Sequence, residues 1–440
     1  MFAYYLDLAL HSLKLNKSLT ALMVLLVGVG VAGSMVTFEA LRVATGDPMP
    51  GRSAHLFVPQ IDNQGPSNRE DGDEPPWTLS YLDTRALLKA REAQRQAAVY
   101  AIRLPLVPAD ATRAPFTVKG EAVTPDFFPM FGVSFVYGGS WDQADANQGT
   151  HALVISRQLN DRLFSGRNSV GREIRLGKQV YRVVGVSRYW NPQPRFYSGS
   201  NINDLRNQGA EPDFFLPFST AIAAKIESAG NVSCKPDYKG DGWGALLRSE
   251  CDWIAVWVQL PNAIGVRGYH AFLHNYAAAQ QRMGRFQWAP DVRLRNLTQW
   301  LDYVHAVPSE TRVSFLFAVA LLLVCLFNTT GLLLAKFMRR SGEIGVRRAL
   351  GASHGAIYTQ FLIEAMVIGM AGSLLGVLLT VLGVSGMGLV FQPKIARFVH
   401  VDTRLLGLTV LVSLVTILVA AIYPVWRAAQ VQPAWQLKSG

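Results

Sequence analysis

Four long stretches of this sequence carry no charge at all. Ser18–Phe38, Val313–Ala335, Ala365–Pro393 and Leu405–Trp426 lack any Asp, Glu, Lys, Arg or His. Each is long enough to cross about 30 Å of hydrocarbon as a helix. Uninterrupted apolar runs of this length argue against a soluble core and for membrane spans. In a soluble protein a formal charge of +11 would point to nucleic acid. Here the apolar residues are segregated into spans, so the partner is a membrane and a nucleic-acid role is not expected. The 21-residue first run exceeds the h-region of about 7–15 residues in a cleaved signal peptide. It is read as a retained anchor.

Other absences narrow the chemistry. No ionisable residue lies near the middle of a span; Glu364 stands just inside the start of the third and Glu39 at the outer edge of the first. Carriers of protons or polar solutes generally need such groups, so a hydrophilic path through these four helices is not expected. No phosphate-binding loop is present. Gly166–Glu173 ("GRNSVGRE") has the glycine spacing but ends in Arg-Glu, without the phosphate-bridging Lys and the metal-binding Ser or Thr. It reads as a turn. His270 and His274 in "HAFLH" share a helical face, but the Glu that activates water in zinc proteases is missing, and a solvated surface is the preferred reading. No nucleophile–base pair stands out, so the chain is expected to have no catalytic, cofactor or metal site of its own.

Cysteine is scarce: three in 440 residues. Cys325, inside the second span, reads as a small apolar packer. Cys234 and Cys251 bracket a Gly- and Asp-rich stretch of the large loop; in an oxidising compartment they can pair as a structural disulfide, the alternative being two free thiols.

What is present sets the topology. Lys14 and Lys17 precede the first span; Lys336, Arg339, Arg340, Arg347 and Arg348 lie between the second and third; Arg427 follows the fourth. Positive charge marks the cytoplasmic side. Lys394, Arg397 and Arg404 between spans three and four weaken the asymmetry, but four spans still put both termini on one side. Glu39–Arg312 is then extracytoplasmic. Helical alternation over Phe2–Leu15 predicts an interfacial helix (1–17). The expected spans are 18–38, 313–335, 357–386 and 405–426, with a cytoplasmic loop at 336–356, a short outer loop at 387–404 and a tail at 427–440.

Within the outer segment, a polar loop over Val58–Pro76 precedes an amphipathic helix near Tyr81–Tyr100. "VTPDFFPMFGV" reads as a strand end, an N-cap at Thr124, Pro125 at the first helical position and a short helix. "REIRLGKQVYRVVGV" predicts a hairpin turning at Gly177-Lys178, "WIAVWVQL" a strand and "GYHAFLHNYAAAQQRM" a helix. The fold class expected is four transmembrane α-helices with a large α+β domain, of two subdomains, inserted between the first two.

"RRSGEIGVRRALGAS", Arg339–Ser353, places a short charged helix between two spans. Glu343 and Arg347 pair at i,i+4, leaving Arg340 and Arg348 to face outward. Gly351 stops the helix and Ser353 caps the next. A solvated positive-inside loop would also fit; the functional reading is a rigid lever shaped for a cytoplasmic partner.

"FNTTGLLLAKFMRRSGEIGVRRALGASHGAIYTQFLIEAMVIGMAGSLLGVLL" closely resembles the core of the FtsX-like permeases of the MacB-type (type VII) ABC transporter family. The ending "YPVWRAAQVQPAWQLKSG", and "VTPDFFPMFGVSFVYGGSW" and "LVISRQLNDRLFSGRNSVGREIRLGKQVYRVVGV" in the outer segment, resemble the same family, so the likeness covers nearly the whole chain. The resemblance implies a Porter-like outer part (39–137 with 250–312) and a Sabre-like subdomain (138–249). It implies that the loop between spans two and three docks on a cytoplasmic ABC ATPase dimer through Glu343, Ile344, Arg347, Arg348, Ala349 and Leu350. ATP and Mg would be bound by that ATPase, a separate subunit since no ATPase is fused here. The implied function is mechanotransmission to a periplasmic domain from the bacterial inner membrane. A second permease copy or a paralogue, a periplasmic adaptor and an outer-membrane exit duct would complete a drug or peptide efflux pump. Lipoprotein-releasing permeases, and signalling permeases that activate cell-wall hydrolases, are the alternatives.

Overall fold

The computed structural model describes residues 8, 17–65, 74–108, 114–192, 194–198, 211–235, 238–304, 309–390 and 403–430. The helix expected over 1–17 and residues 431–440 of the tail fall almost wholly outside them. In chain order, α1 (Lys17–Thr45) leads into the outer unit. Its strands are β1 (Leu56–Ile61), β2 (Leu79–Ser80), β3 (Arg95–Val107), β4 (Phe116–Val123), β5 (Phe135–Gly138), β6 (Ala152–Ser156), β7 (Glu173–Leu176), β8 (Gln179–Ser187), β9 (Phe214–Pro217), β10 (Asp252–Gln259) and β11 (Val292–Asn296). Its helices are α2 (Tyr81–Ala90), α3 (Phe127–Met130), α4 (Gln143–Asn147), α5 (Arg157–Phe164), α6 (Phe218–Ala223), α7 (Gly242–Leu247), α8 (Ala263–Arg282) and α9 (Leu297–Tyr303). Then come α10 (Ser309–Met338), α11 (Ser341–Ala349), α12 (His354–Val390) and α13 (Thr403–Ala429).

Asp47–Val307 form one compact unit. Its strands make a mixed 11-stranded sheet in the order β11-β1-β10-β3-β4-β9-β6-β8-β5, with β2 on β10 and β7 on β3 and β8. The β4–β9 and β6–β8 pairs are parallel and the rest antiparallel. Period-2 alternation sends successive side chains to opposite faces. Ala98, Tyr100 and Ile102 of β3 join one core while Ala97 and Val99 join the other. Ile254, Val256 and Val258 of β10 divide from Ala255 and Trp257 in the same way. Burial on both faces explains why "WIAVWV" reads as a continuous apolar run. The stretches expected to be Porter-like and Sabre-like share this sheet, joined by β4–β9 and β3–β7.

Two local expectations are corrected. The helix read over Tyr81–Tyr100 ends at Ala90, because Arg91 turns left-handed (φ 53°) and Arg95 begins β3. Ser80 Oγ caps that helix, accepting from Asp83 N at 3.2 Å. Thr124 is not an N-cap: its hydroxyl accepts from Ala98 N (3.1 Å) and tethers the end of β4 to β3. Asp126 occupies the cap position of α3, and its carboxylate accepts from Gln96 N at 3.0 Å instead. The β7–β8 hairpin forms as read, with Leu176 opposite Gln179 and Gly177 at φ 59°. His270 and His274 lie exposed on α8. Cys234 and Cys251 are bonded, beside the Ser233–Asp252 bridge.

The second unit is the helical one. Lys17–Arg42, Arg312–Met338, His354–Gly386 and Thr403–Ala429 are long and apolar enough to cross a bilayer. Their inward faces meet around Val27, Val31, Leu333, Phe337, Ile368, Ile417 and Val425. Glycine lets α1 and α12 approach closely: a Cβ on Gly28 would stand 2.9 Å from the Leu375 side chain, and one on Gly372 3.0 Å from Val27. Ser34 Oγ donates across to Ala318 O at 3.0 Å, meeting a polar demand that lipid cannot.

Candidate functional site: the α11 lever

Between the second and third spans the chain folds back on itself. Gly351 (φ 96°) ends α11, and Ser353 Oγ accepts from Ala356 N at 3.2 Å to start α12. Glu343 binds Arg347 at 2.6 Å, as i,i+4 spacing predicts. Arg340 does not face freely outward: from the turn before α11 it grips Glu343 (2.9 Å) on that helix and Glu364 (3.1 Å) on α12. The other Glu364 oxygen meets Lys336 Nζ at 2.7 Å, with both side chains fully buried.

This clasp therefore ties three helices together. Lys336 belongs to α10, Arg340 to the turn before α11, and Glu364 to α12. Arg347 Nη1 adds a bond to Gln360 Oε1 at 2.7 Å. Below them Ile344 is buried beside Ile357 and Phe361, whose ring lies 4.4 Å from that of Phe337. At the far end His354 Nδ1 donates to Ala429 O (2.8 Å) and its Nε2 accepts from Arg348 (2.9 Å), linking α11 to α13. The opposite face, Gly342, Val346, Ala349 and Leu350, is exposed. Leu350 is 84% exposed and Val346 58%, an unusual display for apolar side chains next to so many charges.

Residues 18–261 match the family model of the MacB-like periplasmic core domain, more than half of the chain. Residues 315–433 match the FtsX-like permease C-terminal model. The chain belongs to the MacB-type FtsX-like permeases. Macrolide export ATP-binding/permease protein MacB 1/2 of Paracoccus denitrificans is 27% identical over 75% of this chain and 43% of its own length. Macrolide export ATP-binding/permease protein MacB of Syntrophobacter fumaroxidans is 23% identical over 99% and 64%. Thus the chain spans about two fifths to two thirds of the length of these curated relatives. The periplasmic region of MacB from Actinobacillus actinomycetemcomitans, a solved structure, aligns with 59% of this chain and 97% of its own at 14% identity and a TM-score of 0.37.

As a MacB-type permease it is a multi-pass membrane protein whose Asp47–Val307 unit is periplasmic, so α11, one span further on, is cytoplasmic. Of the residues expected to contact a partner there, Glu343, Ala349 and Leu350 stand at the surface, whereas Arg347 and Arg348 are half-buried and paired. Ile344 is not at the surface. It is 4% exposed and faces the bundle, because positions 342, 346, 349 and 350 share one side of the helix and 344 takes the other. Val346, not among the expected contacts, takes its place outside. The sequence reading also passed over the Lys336–Glu364 pair. A signal existed: a lone carboxylate inside an apolar run requires a partner, and the cations closing the preceding span were the nearest available.

Proposed function

We propose that this permease converts ATP hydrolysis, performed on a cytoplasmic ABC ATPase dimer outside these 440 residues, into motion of its periplasmic domain. The ATPase seats Val346, Ala349 and Leu350; when it closes, α11 is displaced. The buried clasp carries that displacement into α10 and α12, and α1 and α10 are covalently continuous with the outer unit. One observation carries the reading: a helix locked to its spans by buried charge on one side presents apolar residues to the cytoplasm on the other. Uncharged span interiors support handling of cargo outside the bilayer. The permease would work in the bacterial inner membrane with a second copy or paralogue. A periplasmic adaptor and an outer-membrane duct would complete efflux of drugs, peptides or other secreted molecules. The test is co-purification of the full chain with its ATPase in mild detergent. V346D/L350D should abolish co-purification and the permease's stimulation of ATP hydrolysis while the melting temperature holds; undiminished binding by this variant refutes the docking face.

A further inference from the structure

The periplasmic unit has an open cleft of about 860 Å³ between α2, the Thr124–Pro125 corner, α4 and α6. That size accepts a drug-sized molecule. Its walls are apolar: Leu82, Leu88, Phe218 and Ile222 line it, the last two buried. Three exposed cations, Arg85, Lys89 and Arg91, also line it, and among the described residues no carboxylate does. They gather for local reasons. Arg85 and Lys89 are four apart on one face of α2, and the left-handed turn at Arg91 swings its side chain to the same opening.

Among the described residues none of the three cations has a carboxylate within ion-pair distance, and Arg85 has only the Tyr81 ring, 5.7 Å away. A smaller hollow of about 330 Å³ adjoins through Leu88, Arg91, Thr124 and Gln143. Its acid, Asp126, is bonded to Gln96 N at 3.0 Å. The polar groups of the cleft are largely used up: Thr124 bonds β3, and Ser219 Oγ bonds Ala146 O. What remains to meet a ligand is an apolar wall with positive charge at its mouth.

We infer that this cleft binds a small anionic amphiphile, with its acidic headgroup at Arg85, Lys89 and Arg91 and its apolar body against Leu88, Phe218 and Ile222. Positive charge at the mouth and an apolar wall select by sign of charge and by an apolar body, which fits a broad class of molecules. The same chemistry is offered by an anionic lipid and by a free acidic amphiphile. Whether α11 couples to an ATPase does not affect this site.

The experiment titrates the full chain, held in a non-ionic amphipol, with fluorescent dansyl-undecanoate, using its methyl ester as the neutral control. The acid should bind and the ester should bind far more weakly. R85E/K89E/R91E should weaken the acid by about tenfold or more, since each screened surface charge contributes only a few-fold. A223W, which fills the cleft without changing charge or cutting a hydrogen bond, should abolish binding. Both variants must keep the wild-type melting temperature, and two independent variants guard against one misfolding. Displacement by short-chain phosphatidylglycerol in preference to laurate identifies the lipid as the source; the reverse order identifies a free amphiphile. Equal binding of acid and ester, wild-type binding by both variants, or displacement by an acidic peptide but by neither small anion overturns the assignment.

Discussion

Glu364→Gln removes the negative charge that Lys336 and Arg340 share at 2.7 and 3.1 Å. Arg340 keeps Glu343 as a second partner, but Lys336 is left as a buried ammonium with no counter-charge within its reach among the ion pairs described. Breaking a buried pair from one side costs about 3–5 kcal/mol, because desolvation of the remaining ion is no longer offset. Removing both charges is different: K336M/E364L substitutes apolar side chains of similar size, and such replacements are often neutral. The single variant should therefore lose roughly 3–5 kcal/mol of bundle stability and the double about 1 or less, a coupling of several kcal/mol in a double-mutant cycle. Chemical unfolding of the full chain in mixed micelles reads the stabilities. Stimulation of the partner ATPase reads transmission. The double variant should stay folded yet transmit poorly, because α11 is no longer clamped to α12 by the Glu364 charge. If E364Q is as stable as wild type, or the double variant falls as far as the single, the clasp does not hold the lever.

Ile344→Ala should cost about 2–4 kcal/mol by opening a cavity under α11, whereas Leu350→Ala should leave stability within about 0.5 kcal/mol; unfolding of the two variants in micelles compares them. Glu343→Lys should break the pairs to Arg340 and Arg347 and uncouple ATP hydrolysis from transport while membrane insertion persists; normal transport by this variant argues against the lever. Burial pushes the Asp252 carboxyl well above the usual carboxylate range, the Gln64 and Asn63 amides pull it down, and Asp83 and Glu250 add to the rise. The folded state then holds this proton over a range where the unfolded chain, titrating near about 3.9, has released it. Stability from this group is greatest in acid and is lost as pH rises toward the raised value; melting curves from pH 5 to 8 should show it, and D252N should flatten the trend. Glu211 and Asp213 shift the same way by burial, so a residual slope is expected in that variant.

Much of this architecture is legible locally. The β7–β8 hairpin follows from one glycine at a two-residue turn, and the break between α11 and α12 from Gly351 and Ser353. The helix at Tyr81 was legible but its end was not: "REAQRQAAVY" has no strong breaker, and only pairing of β3 with β4 and β10 draws those residues into a strand. Thr124 failed for a similar reason, since its hydroxyl found a better partner on a strand 26 residues earlier.

The sequence by itself determined the four spans, their sidedness, the membership of the chain in a permease family and the place of the short charged helix α11. Those follow from hydrophobic length, charge counts and ordered motifs, which are properties of neighbouring residues. Only the tertiary structure decided which face of α11 is free, why Ile344 is not on it, that Lys336 and Glu364 hold each other, and that three cations meet over an apolar cleft. Each of these depends on which surfaces become buried when separate helices and strands pack, and burial is what makes a charge pair strong and an exposed leucine informative.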